Sequence, residues 1–162
     1  MNVAKKERVT MVVCSGDLDR ALMAFTLINA AAALDMEVSV FFTFGGIDIV
    51  TKEGSRRESV GLFEKIHSFF ARGGAERLGL SKHNLFGIGD LATKSRIKRK
   101  KIMTLNDHIA AAKELGVKFA VCEMAMETMG VKKEDLIDGI DEVTGAASFL
   151  ANIGDARINY FI

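Results

Sequence analysis

The spacing of apolar residues changes period repeatedly along the chain, and each change marks an element. RVTMVVC (Arg8 to Cys14) is a continuous, β-branched apolar run closed by Ser-Gly-Asp, the pattern of a strand covered on both faces. From Asp17 to Leu34 the apolar positions Leu18, Ala21, Leu22, Phe25, Leu27, Ile28 and Leu34 recur at helical spacing, with Ser15 or Asp17 available as N-cap. EVSVFFTF (Glu37 to Phe44) predicts a second buried strand, ended by Gly45 and Gly46 where the chain must turn sharply. Ile47 to Arg57 is mixed and polar, and Leu62, Phe63, Ile66, Phe69 and Phe70 then predict a helix stopped by Gly73-Gly74.

Ala75 to Lys101 lacks a clear period and reads as a surface excursion. Order returns at Thr104-Leu-Asn-Asp, a cap for a helix carrying Ile109, Ala110, Ala112 and Leu115 and ending at Gly116. Val117 to Cys122 is then a strand and Glu123 to Met129 a short helix ended by Gly130. LIDGIDEV holds a short strand, Thr144 to Asn152 a helix ending at Gly154, and RINYFI the last strand. Strands alternating with helices predict one domain over residues 1–162, a three-layer α/β/α sandwich on a mainly parallel sheet with right-handed crossovers.

Composition agrees with this picture. With 162 residues, 49% hydrophobic and 27% charged, the chain can bury a single core without metals or cross-links. Lys plus Arg number 22 and Asp plus Glu 21, and a net charge of +1 argues against nucleic acid as a partner. The longest apolar stretches fall short of the ~18 to 20 residues that span a bilayer. The N-terminal MNVAKKERVT runs straight into a strand without an export-signal pattern, and two cysteines without metal-site spacing suit a reducing, cytoplasmic setting.

The chemistry-bearing candidates are those cysteines. Ligands of parallel sheets collect outside the carboxyl ends of the strands, and Cys122 falls at such an end, directly before a helix. A helix N-terminus presents about half a positive charge, a field that favours a thiolate, whereas the neighbouring Glu123 carboxylate opposes it. Met124, Met126 and Met129 supply soft apolar side chains that can wall off a sulfur or simply fill core. Cys122 is thus either a buried filler or an accessible nucleophile. Cys14, behind RVTMVV, reads as a small hydrophobe, and the Gly45-Gly46 backbone N–H groups either form an anion nest or a plain turn.

Several stretches together resemble the DsrE/DsrF-like family: VVCSGDLDRALMAF, VFFTFGGIDIV, LGLSKHNLFGIG and AVCEMAMETMGVKKEDLIDGI, in order across nearly the whole chain. The resemblance implies an α/β/α sandwich on a five-stranded parallel sheet, assembly with copies of itself, and a sulfur-relay role. In that role Cys122 carries a persulfide between donor and acceptor proteins or small thiols, with no metal or organic cofactor. Two departures stand out: Cys14 where relatives have phenylalanine, and Glu123 beside the carrier position. Pocket-lining positions on this reading are Cys14, Gly45, Gly46, Glu123, Met124 and Met126.

Rival readings use the same residues. Cys122 with Cys14 as resolving partner would make a thiol peroxidase or redox sensor, and an inert Cys122 a noncatalytic subunit of a sulfur-transfer assembly. KSRIKRKK (Lys94 to Lys101) is either a solvated face or an electrostatic dock. Gly87-Ile-Gly89 lacks the third glycine of a dinucleotide fingerprint, and His67, His83 and His108 lack metal-ligand spacing. Asp17 and Asp19 fit a helix start and need no catalytic role.

Overall fold

A computed structural model describes residues 7–55, 74, 75, 78, 79, 95, 102–154 and 156–162. Five strands form one sheet in the order β4-β3-β2-β1-β5, and every neighbouring pair is parallel. They are β1 (Arg8–Val13), β2 (Glu37–Phe42), β3 (Lys118–Cys122), β4 (Glu142–Thr144) and β5 (Ile158–Phe161). The helices are α1 (Leu18–Ala33), α2 (Leu105–Glu114), α3 (Glu123–Met129) and α4 (Ala146–Ile153). The sheet grows outward from β1 through β4, and α4 carries the chain back to place β5 on the far side of β1.

Continuous apolar strands arise because both sheet faces are covered. Phe41 and Phe42, adjacent in β2, point to opposite faces. Phe42 and Phe119 meet Phe25 of α1, with ring centroids 5.4–6.3 Å apart, whereas Phe41 stacks on Phe149 of α4 at 4.5 Å. Helices α1 and α2 therefore lie on one side, joined by the Asn29 amide donating to the His108 carbonyl, and α4 lies on the other. This is the three-layer sandwich that the alternating pattern predicts.

Local chemistry explains the α2 start. The Thr104 hydroxyl accepts the Asp107 N–H, and the Asp107 carboxylate accepts the Thr104 N–H at 2.8 Å, a reciprocal box that satisfies two otherwise orphaned donors. The Thr104 hydroxyl also donates to the Asp107 carboxylate at 2.7 Å, and this bond first, then the one from the Thr104 N–H, holds the Asp107 carboxyl below its ordinary value.

Several boundaries differ from the sequence expectation. β1 stops at Val13 and β2 at Phe42, each short of its apolar run. The stretch after β2 is not a simple glycine loop: Phe44–Val50 winds into a 3₁₀ segment with Ile47, Ile49 and Val50 buried. LIDGIDEV contributes only its last two residues to β4, and Thr144 belongs to that strand, so α4 begins at Ala146 with Gly145 as N-cap. The expected helix around Leu62 to Phe70, most of the irregular stretch from Ala75 to Lys101 with its basic run and Gly87-Ile-Gly89, and His67 and His83 lie outside the described residues.

Candidate functional site

Cys122 is the last residue of β3, paired with Thr144 of β4, and also the N-cap residue of α3. Strand alternation puts its side chain with Ala120 and Phe41 on the α4 side of the sheet. The residue is 2% exposed, which is the buried one of the two readings its sequence position allows. Its Sγ makes no cap hydrogen bond to α3.

The α3 residues divide between core and solvent. Ala125 and Met126 are buried, and Glu123, Met124, Glu127 and Thr128 face outward. Met126 can line an apolar wall as expected, but Met124 is 58% exposed and does not. Helical geometry is the reason, since only one stripe of a seven-residue helix can face the core. Gly130, left-handed at φ 62°, ends the helix and returns its N–H to the Glu127 carbonyl.

Gly45 and Gly46 sit beside the end of β1 for steric reasons. A Cβ on Gly46 would overlap the Val13 carbonyl oxygen, and one on Gly45 would lie 3.0 Å from the Gly16 nitrogen and 3.1 Å from the Cys14 oxygen. The Gly46 N–H donates to the Thr43 carbonyl at 3.0 Å, a bond that belongs to a plain turn, one of the two readings open for this pair. Phe44, between β2 and these glycines, takes the left-handed φ of 44° and is 49% exposed. For a non-glycine residue that conformation costs about 1 kcal/mol or more. Nothing in the local sequence announces it.

Cys14 is exposed, contrary to a small core hydrophobe, and its thiol donates to the Ile162 carbonyl at 3.2 Å. It stands level with Cys122 but two strands away, because Val13, Phe42 and Val121 are in register. Two inter-strand steps put the cysteines about 9.5 Å apart. A disulfide needs Cα atoms within about 7 Å, so joining them requires the backbone to move.

A cleft of about 240 Å³ opens on the same face but toward the amino ends of the strands, lined in part by Arg8, Ser39, Lys118, Ala120 and Phe149. Its charges are mutually engaged: Glu37 receives Arg8 Nε at 2.8 Å and has Lys118 Nζ at 3.8 Å. Among the described residues no group of three or more His, Cys, Asp or Glu is placed to hold a metal ion, and no helix is long and apolar enough to cross a membrane.

Fold and site together define a parallel α/β sandwich with a cysteine at the carboxyl end of an inner strand. The chain belongs to the DsrE/DsrF/DrsH-like family, which it matches over residues 5–161. It is 38% identical over 156 residues to the protein YrkE of Bacillus subtilis, covering 96% of this chain and 97% of that one. It is 27% identical over 164 residues to the sulfur carrier protein DsrE2 of Allochromatium vinosum, covering 98% and 99% respectively. The ychN protein from E. coli shares the fold with a TM-score of 0.53 at 10% identity, over 98% of this chain and 100% of that chain.

Proposed function

We propose that this protein carries sulfane sulfur as a persulfide on Cys122 and delivers it to an acceptor thiol. The observation that carries the reading is the position of Cys122, at the carboxyl end of β3 and the start of α3, in a chain similar throughout its length to a protein named as a sulfur carrier. In loading, the Cys122 thiolate attacks the outer sulfur of a donor persulfide. A new S–S bond forms at Cys122, the donor's S–S bond breaks, and the donor leaves as a thiolate. Delivery repeats the exchange in reverse: the acceptor thiolate takes the outer sulfur and Cys122 returns to a thiolate. Electrons balance in both steps, so no external oxidant or cofactor enters.

Burial has a use in this chemistry. The surrounding core keeps water and unrelated thiols from the sulfur, and reaction follows local opening at the junction of β3 with α3, a helix too short to be stable by itself. Free cysteines fit a reducing cytoplasmic setting, with the whole chain acting as one domain. Assembly with copies of itself belongs to the same reading, and edge strand β5 offers exposed Tyr160 and Phe161 for it.

The reading is tested by treating reduced protein with polysulfide and weighing it intact. With the exposed Cys14 thiol removed, Cys14→Ser should gain one sulfur atom, removable by dithiothreitol, and Cys14→Ser/Cys122→Ser should gain none. No uptake by Cys14→Ser would sink the assignment. An intramolecular disulfide in place of uptake would favour the peroxidase reading.

A further inference from the structure

Three polar residues are buried among the described ones, Thr10, Thr51 and Thr144, and the first two have evident partners. The Thr10 hydroxyl donates to the Asn159 side-chain oxygen, and the Thr51 hydroxyl donates to the Ile47 carbonyl at 2.7 Å. Thr144 is 8% exposed, and its hydroxyl makes no hydrogen bond among the described residues. A buried polar side chain left without a partner is uncommon, because folding takes away its water and returns nothing. Its place in the sheet supplies the reason. Thr144 is the β4 partner of Cys122 in the parallel ladder, so the two side chains rise next to each other from the α4 side of the sheet. The Cys122 sulfur, 2% exposed, likewise has no hydrogen bond among the described residues.

We propose that the Thr144 hydroxyl is the hydrogen-bond donor to the outer sulfur of the Cys122 persulfide. The inference deepens the carrier reading and rests on it. Adjacent strands run about 4.8 Å apart, so the resting thiol and hydroxyl are neighbours without being bonded. A sulfur atom joined to Sγ by a bond of about 2 Å closes that gap. In loading, the Cys122 thiolate takes the outer sulfur of the donor, one S–S bond forms as the donor's breaks, and the donor departs as a thiolate. The proton on the outer sulfur then passes to solvent, and Cys122 holds a negative charge on its terminal sulfur in a place that little water reaches. A hydroxyl donating to that charge takes the part of the missing water, and such charge-assisted bonds are about twice as strong as neutral ones. The bond is made only with cargo present, so it stabilises the loaded protein and not the empty one. A β-branched side chain in a strand has few rotamers, which keeps the donor in position.

The test loads Cys14→Ser, Cys14→Ser/Thr144→Val and Cys14→Ser/Thr144→Ser with increasing polysulfide and reads the loaded fraction by intact mass. Valine keeps the shape of threonine and removes the donor, whereas serine keeps the donor and removes a methyl. Half loading of the valine variant should need about 10-fold more polysulfide than the parent, and the serine variant should stay within about threefold of it. Alkylation of the unloaded Cys122 should proceed within about twofold of the parent rate in the valine variant, because the resting sulfur does not use the hydroxyl. Equal half loading of parent and valine variant would overturn the proposal and leave the carrier reading standing. A serine variant as impaired as the valine one, or weak loading accompanied by faster alkylation, would also overturn it by tracing the loss to packing. No loading of Cys14→Ser at any concentration would refute the carrier reading and this inference with it.

Discussion

Alkylation of the two cysteines in the folded protein measures how far burial guards Cys122. Cys14 is exposed and serves as internal reference, whereas Cys122 is buried and, on the proposed reading, is reached when the β3–α3 junction opens and α3 gives up the burial of Met126 and Ala125. Exposing a buried methionine costs about 1.5–3 kcal/mol, and the alanine methyl brings the opening to about 2–4 kcal/mol. At 1.4 kcal/mol per decade, that slows Cys122 about 30- to 700-fold relative to a thiol that needs no opening. The assay follows Cys14→Ser and Cys122→Ser separately with a small alkylating reagent in excess, read by mass spectrometry. Met126→Ala loosens the cover and should speed Cys122 by at least about 10-fold with little effect on Cys14. Equal rates for the two thiols would show that the burial does not gate reaction. A Cys122 rate with the denaturant dependence of global unfolding would show that α3 does not open by itself.

The crossing of the β1 and β2 ends makes Gly46→Ala destabilising by about 1–3 kcal/mol or more, since the clash is with backbone, and the melting temperature should fall by roughly 4–10 °C. An unchanged melting temperature would refute the close approach. Gly145 has open space and an ordinary φ of −78° as N-cap of α4, so Gly145→Ser should leave calorimetric stability equal or raise it by a few tenths of a kcal/mol. In α2, hydrogen bonds from Thr104 lower the folded value of Asp107 below that of the unfolded chain, so the carboxylate's contribution is present above about pH 4 and is lost as pH falls through the folded value. Melting curves of Asp107→Asn should therefore lose part of the stability decline between pH 5 and 3 that the wild type shows. Thr104→Ala should cost about 1 kcal/mol at neutral pH.

Period alone was enough for much of this molecule. The β-branched runs at Arg8, Glu37 and Val117 and the helical spacing from Asp17 specify a doubly covered parallel sheet, because side-chain periodicity is a local property of the backbone. The stretches from VVCSGDLDR to VCEMAMETMG likewise carried the family. Exposure is not local, and there the reading stopped. Met124 and Met126 have the same chemistry and nearly the same place in the chain, yet one faces water and the other the core; packing of α3 decides between them. The need for glycine at position 46 comes from a carbonyl of Val13, on a different strand. Whether Cys122 is open or covered and how far Cys14 lies from it both depend on segments distant in sequence meeting at one end of the sheet, a relation created only when the strands take their order.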